Sequence, residues 1–222
     1  MEAFNITSIL EFLLIMMMVG FSVIVHECAH GFTANLMGDP TAKLMGRITL
    51  NPIAHIDPIG TILVPVLMKI LGGPLIGWAK PVPVNFNNLR PFRTGVILVS
   101  IAGPLSNFIL AFLGTLFFVL TYKYTAFHPE SIISYVNTLS QSFIFINILL
   151  MVFNLIPIPP LDGSRVVSAS LPYKWAYHYN KIESFGIIIL IVLINTPFLT
   201  HYLSFTIDFV FSNLLRFFAI FI

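Results

Sequence analysis

The sequence is short of charge. Only 9% of its 222 residues are Asp, Glu, Lys or Arg, against about 25% in a soluble globular domain. That deficit excludes a water-exposed surface over most of the chain. Net charge is +2 with no basic tract, which argues against a nucleic-acid partner. Cys28 is the one cysteine, so an intrachain disulfide framework is excluded. No internal repeat is visible, and no polar stretch is long enough to predict a separate soluble module. The opening Met1-Glu2-Ala3-Phe4-Asn5 lacks the basic segment of a secretory signal, so the apolar stretch after it is expected to be retained. What is abundant is apolar: 57% of residues are hydrophobic, 22 are phenylalanine, and mean hydropathy is +0.93. The expectation is an all-α polytopic membrane protein. It is read as one integral-membrane domain over residues 1–222, with its core at 9–170 and two additional helices within 184–222.

Apolar runs predict spans near 9–36, 94–122 and 135–156, and two further segments at 184–195 and 201–222 divided by Thr196-Pro197. Residues 59–71 are apolar but short, and hold Pro65 and Lys69. Five to six transmembrane helices are therefore expected. Pro81 and Pro83 exclude a helix around them, and Val82, Val84 and Phe86 alternate with Pro83 and Asn85. This reads as an extended segment or edge strand, within a re-entrant, hairpin-like loop around residues 74–90. Residues 164–182, with Trp175 and several tyrosines, read as interfacial. Lysine and arginine cluster after the first span and again after Asp162. By the positive-inside rule the N-terminus lies outside and both clusters face the cytoplasm, in a multi-pass protein of the cell membrane.

Against this background one stretch stands out: His26-Glu27-Cys28-Ala29-His30. Two histidines four residues apart share a helix face one turn apart, so both rings can reach one metal ion. H-E-x-x-H is the pattern of zinc proteases, with two ligands and a general base. A catalytic zinc takes a third protein ligand and keeps one open position. Asp162 is best placed for it. It follows a span, lies in a turn stiffened by Pro157, Pro159 and Pro160, and shares the cytoplasmic depth of the histidines. A carboxylate near hydrocarbon is costly unless paired or coordinated. Glu27 would take a proton from the zinc-activated water and return it to the leaving amine. Asn154, eight residues before Asp162, could serve the oxyanion or hold substrate backbone, or it could hydrogen-bond between helices. An unwound substrate could pair with a strand edge near residues 83–88, which makes Val84 and Asn85 substrate-binding candidates.

His26-Glu27-Cys28-Ala29-His30, Gly103-Pro104-Leu105-Ser106-Asn107 and Asn154-Leu155-Ile156-Pro157-Ile158-Pro159-Pro160-Leu161-Asp162-Gly163 together resemble the site-2 protease family of intramembrane zinc metalloproteases. The stretch from Gly77 to Asn85 resembles the compact subgroup without PDZ or CBS domains. The resemblance covers roughly residues 20–170, and nothing in these motifs departs from the pattern. It implies one zinc per chain held by His26, His30 and Asp162, Glu27 as base, and Asn154 as a substrate-binding residue. It also implies hydrolysis of a peptide bond in or near a transmembrane segment of a single-span membrane protein.

Other residues carry plainer readings. Gly103, Pro104 and Asn107 suggest helix packing and a kink. His55 and Asp57 suggest a solvated loop in preference to partners of the metal ligands or a gate, and Cys28 suggests inert packing. Two other functions would use the same cluster: a metal transporter or sensor, and a catalytically inactive membrane chaperone. Transport calls for ionisable groups at several depths along a path, and the intact Glu27 argues against an inactive protein.

Overall fold

The computed structural model describes residues 6–72, 77 and 79–219. Among them the chain is predominantly helical and forms no β-strand. Helix α1, Ile6–Leu36, has no charged residue between Glu11 and Glu27. It stops at Gly38, whose φ of 101° only glycine adopts freely. The Asp39 amide then donates back to the Ala34 carbonyl at 2.8 Å, a Schellman-type closure. A short helix α2 (Thr41–Leu44) and a 3-10 turn (Pro52–His55) follow.

A π-helical turn, Pro58–Leu63, runs into α3, Val64–Ile70. Thirteen residues rise about 20 Å, short of the ~30 Å hydrocarbon core. An extended segment at 79–85 and a 3-10 turn, Phe86–Asn88, lead into α4, Phe92–Phe127. This 36-residue helix continues without a break through Pro104. Then come α5 (Ile132–Asn154), α6 (Asp162–Ser170), α7 (Tyr173–Asn180), α8 (Glu183–Ile194) and α9 (Pro197–Ala219).

Helix α4 is the central post, with α1, α5, α6 and α9 all packed against it. One apolar core joins α4, α5 and α9 through Ala111, Phe118, Ile144, Ile148, Ile207 and Leu214. A second joins the end of α1 to the start of α4 and to α6 through Ala34, Leu89, Val96, Val99 and Ala169. A third holds the turn after α5 against α8 and α9 through Ile156, Leu161, Leu190 and Leu199.

Three described helices, α1, α4 and α5, are long and apolar enough to cross a membrane. A fourth crossing is possible if α7 and α8, bent by 61° to one another, act together. The expected five to six is somewhat more than these helices show. α8 has only 12 residues, and α9 carries His201, Asp208, Asn213 and Arg216 among its apolar residues. The expected loop at 74–90 is confirmed only as non-helical at 79–85. Residues 73–76 and 78 lie outside the described residues. No hairpin strand pairs there among the described ones, and Asn85 instead caps the 3-10 turn, accepting from the Asn87 amide.

Candidate metal centre

His26 and His30 lie on the face of α1 that packs against α4, and both are buried. Asp162 begins α6 and reaches the same point from the opposite side. His26 Nε2 is 3.0 Å from His30 Nε2, and Asp162 Oδ2 lies 3.1 and 3.2 Å from the two nitrogens. Among the described residues this is the one such His/Cys/Asp/Glu triad able to hold a metal ion.

The outer face of each ring is fixed. His30 Nδ1 donates to the Val99 carbonyl at 2.6 Å, an atom that can only accept. His26 Nδ1 donates to Asn107 Oδ1, also at 2.6 Å. The orientation of that carboxamide follows from its Nδ2, which donates to the Ser22 carbonyl (3.3 Å) and to Asn147 Oδ1 (3.0 Å). With both Nδ1 atoms protonated, both Nε2 lone pairs point inward. There they meet Asp162 Oδ2, a buried oxygen with no hydrogen-bond partner. Three converging acceptors are unfavourable unless a cation joins them. Tetrahedral zinc ligands at roughly 2.0–2.1 Å stand about 3.3 Å apart, close to the three separations seen here. The residues present fit zinc.

Local sequence explains how α4 and α6 come so close. A Cβ on Gly103 would overlap Nε2 of both histidines. A Cβ on Gly163 would overlap the Leu155 carbonyl, so only glycine lets α6 start against the end of α5. Gly186 of α8 packs equally tightly on the Pro159 carbonyl, closing the proline turn from its other side.

The triad opens onto a cleft of about 300 Å³, whose walls include Glu27, Val82, Val84, Ser100, Asn154 and Arg165. Glu27 Oε2 accepts a 2.7 Å hydrogen bond from the Val82 amide. Gly31 allows this approach, because a side chain there would press on Val82. The extended segment is fastened elsewhere too. The Lys80 amide donates to the His55 carbonyl, and the Asn85 amide to Asp39 Oδ2. Buried Arg47 donates to the carbonyls of Lys80 and Pro81. Arg165 stacks over the Phe86 ring, 4.7 Å from its centroid.

The predicted residues are thus placed unevenly. His26, His30 and Asp162 converge, and Glu27, Asn154 and Val84 line the same cleft. Asn154 donates to the Leu150 carbonyl of its own helix. Asn85 does not line the cleft. His55 is not solvated: it is 1% exposed, with Nε2 on the Thr49 carbonyl. That carbonyl also accepts from the Cys28 thiol. Asp57 caps the π-helical turn through the amides of Ile59 and Gly60. Sequence reasoning assigned Gly103 and Asn107 to packing and missed their place at the histidines. Asn107, a carboxamide in mid-span at close helix contact, was the available signal.

Comparison with known proteins agrees with this geometry. Residues 14–195 match Peptidase family M50. Three relatives bear the name "Putative zinc metalloprotease": YwhC of Bacillus subtilis, Rip2 of Mycolicibacterium smegmatis and MJ0611 of Methanocaldococcus jannaschii. YwhC is 42% identical over 193 residues, covering 86% of this chain and 83% of its own. Rip2 is 30% identical over 82% of this chain and 66% of its own, and MJ0611 is 32% identical over 76% of each. No solved structure matches. A His-His-Asp cluster suited to zinc, with both histidines on the spanning helix α1, lies within the matched residues: the chain belongs to Peptidase family M50 and is a zinc metalloprotease of membranes.

Proposed function

We propose that this protease cleaves peptide bonds in or near the transmembrane segment of a membrane-protein substrate, within the cleft beside His26, His30 and Asp162. The observation that carries the reading is the convergence of His26 Nε2, His30 Nε2 and Asp162 Oδ2 inside the helical bundle, with the Glu27 carboxylate on the same cleft. His26, His30 and Asp162 are the zinc ligands. Zinc held there supplies Lewis acidity to a carbonyl oxygen and to water.

The chain's own groups do the rest. Glu27 is the general base: Oε2 is held by the Val82 amide, and Oε1 takes the proton from water and passes it to the leaving amine. Asn107 and the Val99 carbonyl keep the imidazoles in the tautomer that presents Nε2 inward. Asn154 lines the cleft as an amide donor for substrate backbone. A helical substrate must first unwind, since its amides are internally bonded. Val84 and the carbonyls of residues 82–84, which accept no hydrogen bond from the described residues, then form the wall that meets it, while Asn85 anchors that wall. The N-terminus lies outside the cell membrane, and the cleft faces the cytoplasm. This orientation is supported by Lys43, Arg47, Lys80, Arg90 and Arg93 after α1 and by Arg165, Lys174 and Lys181 after α5.

The test is zinc content and cleavage of a single-span substrate in detergent, for wild type and Glu27→Gln side by side. Zinc in both with cleavage only by wild type is the expected result. Equal cleavage by both would remove Glu27 from the role of base, and no zinc in either folded protein would remove the metal centre.

A further inference from the structure

Helix α9 carries a polar stripe at a depth where lipid would be expected. Thr200, Ser204 and Asp208 recur every four residues and so stack on one face. Thr200 and Ser204 return their hydroxyls to the carbonyls of Thr196, just before α9, and His201 within it. Asp208 is exposed and has no hydrogen-bond or ion-pair partner among the described residues. Across from it on α5, Gln141 and Ser142 have none either. The depth is fixed by neighbours. Ile207 packs into the core with Ile144 and Ile148, in the middle of spanning helix α5.

These side chains line one groove between α5 and α9. Its upper part, about 560 Å³, reaches Ile15 of α1 and contains Gln141 and Ser142. Its lower part, about 300 Å³, contains Thr200 and Ser204. The two share Phe145, Ile207 and Asp208. An ionisable group at this depth is costly unless a partner neutralises it, and such groups normally mark function. An acyl chain offers Asp208 neither a cation nor a proton donor. A transmembrane helix bearing lysine or arginine offers both, and polar side chains in membranes pack at helix–helix contacts.

The groove also has a direction. From Phe211 to Leu199 it follows α9 for twelve residues, about 18 Å. Leu199 packs against Leu161, the residue before Asp162. A helix lying in the groove is therefore led toward the metal-bearing end. We infer that the α5–α9 groove is the docking track for the substrate's transmembrane helix, and that Asp208 selects a helix carrying lysine or arginine at its depth. The inference rests on the reading of the chain as an intramembrane protease.

The test uses four leucine-rich single-span peptides, alike except for Leu, Gln, Lys or Glu at the central position. Each is co-reconstituted in phosphatidylcholine vesicles with the full-length Glu27→Gln protein, and binding is read by energy transfer. The Lys peptide should bind roughly tenfold more tightly than the Leu peptide. Asp208→Asn should abolish that preference, and Asp208→Lys should transfer it to the Glu peptide. Equal binding of all four, or a Lys preference that survives Asp208→Asn, would overturn the inference. So would a change from dimer to monomer in Asp208→Asn with peptide binding unaltered, since a second copy would then fill the groove. Cleavage of the same peptides by wild type separates the two readings. Cleavage without a Lys preference overturns the docking track alone. Lys-specific binding with no cleavage of any peptide overturns the bound helix as substrate.

Discussion

Asn107 Oδ1 stands 2.6 Å from His26 Nδ1, and the same carboxamide reaches Ser22 on α1 and Asn147 on α5. One side chain of α4 thus ties His26 to both neighbouring spans. Such supporting contacts typically carry a 10–100-fold effect on metal affinity. Asn107→Ala should weaken zinc binding by about that factor, measured by competition with a chelator of known affinity. An unchanged affinity would show that packing alone orients His26.

Gly103 sets a harder limit. A methyl group at this position would occupy the space where both Nε2 atoms point. Gly103→Ala should bring zinc content close to zero while far-ultraviolet circular dichroism retains the helical signal. A stoichiometric zinc content in this variant would contradict the placement of the triad.

Val82 supplies the amide that holds Glu27. Val82→Pro removes that donor, in a stretch that already carries Pro81 and Pro83. Cleavage should fall by about tenfold, in line with the loss of one charge-assisted hydrogen bond, and zinc content should not change. A fall in zinc content would mean that the segment supports the metal and not the base.

Asp39 predicts a pH dependence outside the spans. Burial pushes its carboxyl up. The Thr41 hydroxyl, the Asn88 carboxamide and the amides of Asn85 and Thr41 outweigh this and hold it below the usual carboxylate range. Because the folded state favours the ionised form, the stabilisation is complete above the unfolded value of about 3.9. It is lost as pH falls through the lower, folded value. The melting-temperature difference between wild type and Asp39→Asn should be constant near neutrality and shrink only below about pH 4. A difference that does not change with pH would assign Asp39 a purely steric role.

Much of this was legible before any coordinates. Long uncharged runs marked α1, α4 and α5, because hydrocarbon tolerates few alternatives to an apolar helix. The four-residue spacing placed His26 and His30 together, and the proline turn before Asp162 singled out that carboxylate. The weakly apolar regions were harder. α9 is long enough to span but mixes Asp208 and Arg216 with phenylalanine, and the stretch from Pro58 to Ile70 shortens into a π turn and a two-turn helix. His55 read as loop because its burial depends on a partner carbonyl at Thr49, which no local pattern announces. Gly103 was opaque for a related reason. Its importance lies in what two side chains of another helix need, and a single glycine does not show who its neighbours are.

The alternation of proline and valine at 81–84 has a consequence beyond catalysis. Pro81 and Pro83 have no N–H to offer, the Val82 amide is taken by Glu27, and the flanking amides of Lys80 and Asn85 are taken by His55 and Asp39. Arg47 covers the carbonyls of Lys80 and Pro81. Among the described residues, the Val84 amide is the one N–H of this stretch without a partner. An exposed extended segment is ordinarily a template on which copies of a protein aggregate. This one offers little to such pairing: with two prolines and three amides already engaged, it gives a second copy of itself almost no N–H to hold.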